Sequence, residues 1–253
     1  MSNLTLRVLT GLLGGTVFIL LLTAHIYSYY FLWVVIGIVC VWEWKRMFFL
    51  PCFLWLYMVI CIFLIVTSAN ESIFHCQHYQ ILFIFYSALM LLFADKVRHE
   101  QMLHTLLGVI YLSVPMSVVF FLSKSNPFYF RTLFVVLVVW VSDISAYFVG
   151  KYLGKHLLFS RISPKKTVEG LIGSFIFCGI AIFCAFMFGL VKEVKYLWIG
   201  VITAICTPIG DLLESALKRK ANVKDSSQIL PGHGGFLDRF DGFFFAIVAQ
   251  SWI

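Results

Sequence analysis

Residues 211–242 read DLLESALKRKANVKDSSQILPGHGGFLDRFDG, and this stretch organises the rest of the chain. It holds five of the twelve carboxylates, Asp211, Glu214, Asp225, Asp238 and Asp241, and five basic residues, Lys218, Arg219, Lys220, Lys224 and Arg239. Apolar segments flank it on both sides. Charge between membrane-grade segments is costly to keep, so such an island is a functional-site hypothesis by default.

The flanks set the class. The 253 residues are 61% hydrophobic, 18% aromatic and 12% charged, with a mean hydropathy of +0.95. A soluble domain carries about a quarter charged residues, and no polar stretch here is long enough to enclose a core of its own. The sequence therefore predicts an all-α polytopic membrane protein. Helices are preferred to a barrel because the apolar runs are continuous and do not alternate.

Nine apolar runs can be drawn, at 8–24, 27–42, 52–69, 79–94, 105–122, 132–150, 171–190, 196–209 and 240–253. Several fall short of the roughly 20 residues a helix needs to cross the hydrocarbon. With the N-terminus in the cytoplasm, fifteen of the nineteen Lys and Arg fall inside and four (Lys124, Arg131, Lys192, Lys195) outside. That is the bias expected of cytoplasmic loops, and it also accounts for the net charge of +7. No basic patch interleaved with aromatics lies outside the runs, so nucleic acid is not an expected partner.

Arg7 before the first run resembles a signal peptide, but no small-residue cleavage site follows, and an uncleaved first helix is the better reading. The seven cysteines show no metal-ligand spacing, and most lie in apolar runs, where Cys acts as a small hydrophobe. His75, His78, His99 and His104 form no ligand pattern. Glu43, Trp44, Lys45 and Arg46 read as an inner-face cap on the second run, explained by snorkelling and aromatic anchoring. No internal repeat or long linker divides the chain. Residues 1–130 read as a set of transmembrane helices and 131–253 as a catalytic transmembrane region with two cytoplasmic loops.

The chemistry begins at Asp143, an acid inside an apolar run. Asp211 follows Pro208 and Gly210, which can interrupt a helix. Asp238 and Asp241, three residues apart, share a face if that region is helical. Four carboxylates from three runs can thus meet at one depth. Carboxylates packed together repel. A divalent ion such as Mg²⁺ relieves this by bridging them to phosphates, and counter-cations such as Lys218, Arg219 and Arg239 are the alternative. Ser163-Pro164-Lys165-Lys166-Thr167 adds two cations and two hydroxyls beside the predicted start of the seventh helix, where a helix N-terminus favours phosphate oxygens. Gly232, Gly234 and Gly235 around His233 let backbone N–H groups approach a ligand. Together these parts suit a metal–nucleotide phosphate site.

At these residues the chain resembles phosphatidate cytidylyltransferases (CDP-diglyceride synthases). The family pattern runs here from Ser215 through Lys218-Arg219, Lys224-Asp225, Ser227, Leu230-Pro231, His233-Gly234-Gly235-Phe236 and Asp238-Arg239 to Asp241. The segment SPKKTVEG and Asp143 with Ala146-Tyr147 also look like the family, with Ser174 a departure where glycine is more usual. The resemblance covers the second half of the chain. It implies that CTP and phosphatidic acid are joined into CDP-diacylglycerol and pyrophosphate at the cytoplasmic face of the inner membrane, by a homodimer. It implies metal at Asp211 and Asp238 with Asp241 and Asp143 close by, and a second, monovalent cation such as K⁺. It implies phosphate neutralisation by Lys165, Lys166, Lys218, Arg219 and Arg239, and a nucleotide pocket shaped by His233 and its glycines, with Ser163, Thr167, Lys224 and Asp225 among the binding residues. A CDP-alcohol phosphotransferase, echoed by Asp238-Arg-Phe-Asp241-Gly242, is rejected because its later aspartates are missing. A carboxylate-lined transporter for cations or phosphate metabolites is the rival of another class. It explains Asp143 and Asp211 but not the ordered inner loop.

Overall fold

The computed structural model describes residues 3–52, 54–56, 58–60, 62, 99–124, 127–159, 163–230 and 234–250. The predicted run at 79–94 and most of that at 52–69 lie outside the described residues, as do His75, His78, Gly232 and His233. The chain divides into two compact units, one of Met1–Tyr129 with Asp225–Leu237, the other of Phe130–Lys224 with Asp238–Ile253.

The first unit contains α1 (Asn3–Ala24), α2 (Ile26–Met47) and α3 (His99–Leu122). His25 breaks the chain between α1 and α2. Its backbone is extended, its ring accepts from Tyr27 N, and its own N–H donates to Ser28 Oγ. This reciprocal cap satisfies donors that a helix start leaves open. Along α2 the buried residues Tyr29, Trp33, Ile36, Cys40, Trp44 and Met47 recur at helical spacing, so one stripe of the helix faces protein. Two polar tips on that stripe reach α3: Tyr29 Oη donates to Val119 O at 2.9 Å, and Trp44 Nε1 to His104 O at 2.9 Å. Buried aromatics need such partners.

The second unit contains α4 (Phe130–Leu153), β1 (Leu157–Phe159), β2 (Ser163–Thr167), α5 (Val168–Met187), α6 (Lys195–Lys220) and α7 from Asp238 onward, the whole of α7 being Leu237–Ala249. Its apolar core joins Val138 of α4, Cys178 and Ile182 of α5, and Ala204 of α6. Thr167 caps α5 by accepting from Gly170 N at 3.1 Å. Glu169, in the first turn of α5, accepts from the backbone N–H of Lys155 and His156 at 3.0 and 3.2 Å. Together they tie the hairpin to the helix.

Among the described residues, five helices are long and apolar enough to cross a membrane: α2, α3, α4, α5 and α6; Thr10–Ala24 is a shorter apolar helix. The membrane character is as expected, but two local expectations change. The fold is not purely helical, since SPKKT forms β2, paired antiparallel with β1 through Leu157–Thr167 and Phe159–Ser163. Nor do Pro208 and Gly210 interrupt α6, which runs unbroken to Lys220. Proline removes one donor from a helix, but α6 continues because this segment is packed. A Cβ on Gly210 would meet Asp241 O and the Cα of Gly242, and one on Gly242 would meet Thr207. Small residues here admit α7 onto α6 at backbone distance. The helix ends at Asn222, which has φ 57° and lies in the left-handed region that stops a helix.

Candidate active site

The crossing of α6 and α7 places the charged residues. On α6, Asp211, Glu214, Ser215 and Lys218 are spaced three and four apart and form one face. Lys218 is buried and donates to Glu214 Oε2 at 3.1 Å and to Asp238 Oδ1 of α7 at 2.7 Å. Both acids are largely withdrawn from water, with side chains 0% and 5% exposed. The second oxygen of Glu214 is buried and accepts from no N–H donor among the described residues. The Glu214 carboxyl lies against that of Asp241, within reach of a shared hydrogen bond, and Asp241 Oδ1 also accepts from Gly242 N at 2.7 Å.

From the hairpin, Lys166 pairs with Asp211, and Ser215 Oγ lies 3.4 Å from Asp211 Oδ1. Asp143 of α4 is within electrostatic range of Asp241, Asp211, Lys166 and Arg239. The second unit thus gathers five carboxyls (Asp143, Asp211, Glu214, Asp238, Asp241) and three cations (Lys166, Lys218, Arg239). Two carboxyls are left without a matching cation in that set.

Oxygen ligands and surplus negative charge are what a hard divalent cation needs. Among the described residues, no three Asp, Glu, His or Cys side chains stand at metal-ligand spacing. An ion held here would complete its shell with phosphate oxygens and water, as Mg²⁺ commonly does. The donor set fits on chemistry, with carboxyl oxygens in excess of cations.

The other predicted residues that are described have different surroundings. Lys165 and Arg219 are exposed, and Arg219 Nη1 donates to Val223 O at 3.2 Å beyond the end of α6. Thr167 is the α5 cap, and Ser163 pairs with Phe159 in the hairpin. Lys224 and Asp225 are exposed. Gly234 has φ +87° and closes a turn by exchanging backbone hydrogen bonds with Leu230 at 2.9 and 3.2 Å. Gly235 packs in the first unit where a Cβ would collide with Ser226 Oγ and with Glu43 Oε1.

Two residues escaped the sequence reading. Glu214 was counted among the charges but given no role. Its spacing to Asp211 and Lys218 was the available signal. Glu43 was read as an interfacial cap, yet it is fully buried in the first unit. Its Oε1 accepts from Ser227 Oγ at 2.5 Å and Phe236 N at 2.9 Å, and its Oε2 from Ser226 Oγ at 3.1 Å and Leu237 N at 2.7 Å. An interfacial carboxylate is solvated by water. This one is solvated by a loop, because four donors converge on it.

Comparison with known proteins gives a consistent result. The chain is 49% identical over 119 residues to the phosphatidate cytidylyltransferase of Bacillus subtilis (strain 168), covering 45% of this chain and 43% of that protein. It is 47% identical over 119 residues to that of Staphylococcus aureus (strain COL), covering 46% of this chain and 45% of the relative. It is 42% identical over 131 residues to that of Staphylococcus haemolyticus (strain JCSC1435), covering 51% and 50%. The matched part spans about half the length of these relatives or less. The model of the cytidylyltransferase family, in contrast, matches residues 5–252, nearly the whole sequence, and the chain is a member of the cytidylyltransferase family.

Proposed function

We propose that this protein is a phosphatidate cytidylyltransferase, which converts CTP and phosphatidic acid into CDP-diacylglycerol and pyrophosphate. The observation that carries this reading is the cluster on α4, β2, α6 and α7, where, among the described residues, carboxyls outnumber cations. The names of the relatives supply the substrates.

The nucleophile is the phosphate oxygen of the lipid, already anionic, so the reaction needs no strong general base. The oxygen attacks the α-phosphorus of CTP, a new P–O bond forms, and the bond to pyrophosphate breaks. The demand on the protein is in-line positioning and charge neutralisation. Lys166 and Arg239 neutralise phosphate oxygens, and Lys218 fixes the Asp238 carboxylate while adding a third positive charge. Mg²⁺ is the proposed metal, with Asp211, Asp238 and Asp241 as its carboxylates and Asp143 and Glu214 beside them. Held there, it would supply Lewis-acid charge stabilisation to the phosphoryl group. A monovalent ion such as K⁺ is a second proposed occupant. Ser163, Thr167, Lys224, Asp225, His233, Gly234 and Gly235 belong to the proposed nucleotide side, with Lys165 and Arg219 as outer phosphate-attracting cations.

The finer topology is part of the same proposal. It comprises nine transmembrane helices, the N-terminus in the cytoplasm, the site at the cytoplasmic face of the cell membrane, and a homodimer. CTP is water-soluble and phosphatidic acid lies in the bilayer, so a site at the inner interface is within reach of both. The test supplies purified protein with radiolabelled CTP, Mg²⁺ and phosphatidic acid in mixed micelles. The expected result is CDP-diacylglycerol and pyrophosphate in equal amounts. No product under these conditions, with ion or metabolite flux in proteoliposomes, overturns the reading.

A further inference from the structure

The carboxylate of Glu43 is the most completely satisfied acid among the described residues. Each of its oxygens accepts one serine hydroxyl and one backbone N–H. The hydroxyls belong to Ser226 and Ser227, near the start of the loop that follows α6. The N–H groups belong to Phe236 and Leu237, at its other end, and Leu237 is the first residue of α7. One side chain therefore clamps both ends of the loop. Hydrogen bonds to an ionised acceptor are about twice as strong as neutral ones, and in a buried site they set geometry tightly. Gly235 belongs to the clamp, since any Cβ there would occupy the space of Ser226 Oγ and Glu43 Oε1.

The consequence follows from chain connectivity. Asp238 is the residue after Leu237, and Asp241 lies three residues further along the same helix. The two amides directly before Asp238, those of Phe236 and Leu237, are held by Glu43. We infer that Glu43 is a positioning residue for the reaction: by clamping the loop 226–237 it sets the register at which α7 presents Asp238 and Asp241. This rests on the proposed function for its catalytic consequence, but the clamp itself can be tested without it.

The clamp requires acceptors at both ends of the side chain. In Glu43→Gln, one end becomes an NH₂ group. A serine hydroxyl can rotate to accept from it, but a backbone N–H cannot, so Phe236 or Leu237 is left facing a donor. In Glu43→Asp both acceptors survive on a shorter stem. In Ser226→Ala or Ser227→Ala both amides stay held.

The experiment compares these four variants with the wild-type protein in detergent by hydrogen exchange of the peptide covering 226–237, and by kinetics with CTP, phosphatidic acid and varied Mg²⁺. The expected result has three parts. Glu43→Gln loses exchange protection at Phe236 and Leu237. Its kcat falls by roughly 10–100-fold and its half-saturating Mg²⁺ rises, as for removal of a group that orients a metal ligand, while the KM for phosphatidic acid stays unchanged. Glu43→Asp regains a substantial part of both protection and kcat, and the serine variants stay within about threefold of wild type. Unchanged protection in Glu43→Gln overturns the clamp. Lost protection with an unchanged kcat and Mg²⁺ midpoint overturns the positioning role. Should Glu43→Gln not fold, Glu43→Asp decides, and lost protection without a rise in half-saturating Mg²⁺ overturns the inference. A wild-type protein that makes no CDP-diacylglycerol removes the proposed function, and the exchange data still judge the clamp.

Discussion

Glu43 in the first unit and the carboxyl cluster in the second treat the same chemical group in opposite ways. Glu43 is fully buried and accepts four hydrogen bonds, and among the described residues it has no ion pair. Among the described residues, the cluster gathers five carboxyls against three cations and leaves a buried oxygen of Glu214 with no N–H donor. A buried polar group left unsatisfied is expensive, so the two arrangements point to different uses. The satisfied acid is architecture. The under-compensated group is where the proposed divalent cation and nucleotide phosphates would bind, since they have the right charge and chemistry.

The largest effect that tests this contrast is on turnover. Asp211→Asn and Asp241→Asn are each expected to lower CDP-diacylglycerol formation by on the order of 100-fold or more while leaving a folded, monodisperse protein. Near-normal rates in either variant would move that residue from the working set to the scaffold. Next comes Lys218→Met. It strands Glu214 and Asp238 without their shared cation, and breaking such a buried set costs roughly 3–5 kcal/mol. The melting temperature in detergent should drop well below that of the aspartate variants, and an unchanged melt would show that Lys218 is not the brace of the cluster.

A smaller effect is expected at the helix crossing. Gly210→Ala places a methyl group against Asp241 O and Gly242, and overpacking of this kind costs roughly 1–3 kcal/mol. Because the clash is with backbone, α7 must move and activity should fall along with stability. The mildest effect on turnover is expected of Ser226→Ala, which removes one of the four donors to the Glu43 carboxylate for roughly 1.5–3 kcal/mol, measured by thermal melting. A larger loss there than in Lys218→Met would reverse the ranking of the two regions.

Much of this was legible in the sequence, for identifiable reasons. Long apolar runs mark α2 to α6 because a helix is the one local way to satisfy the backbone in hydrocarbon. The density of charge in residues 211–242 exposes the site because charge is rare elsewhere. Other features depend on packing between distant segments. Glu43, between two tryptophans and beside Lys45 and Arg46, has the local look of an interfacial belt, and its partners lie 183 to 194 residues away. That an acid at the end of an apolar run deserves a functional reading was the signal to follow. The continuity of α6 through Pro208 reflects close packing at Gly210 and Gly242, which propensity does not encode. The hairpin of SPKKT was hidden by a composition that reads equally as a helix approach.

The measurement that tests the central claim most directly is a Mg²⁺ titration of CDP-diacylglycerol formation after exhaustive chelation, run in parallel on wild type, Asp241→Asn and Ser226→Ala. The account predicts no turnover without the metal and saturable recovery in wild type. It predicts nearly the same midpoint in Ser226→Ala and no recovery in Asp241→Asn at matched Mg²⁺. Full turnover by the chelated wild-type protein, or equal recovery in all three, would contradict it.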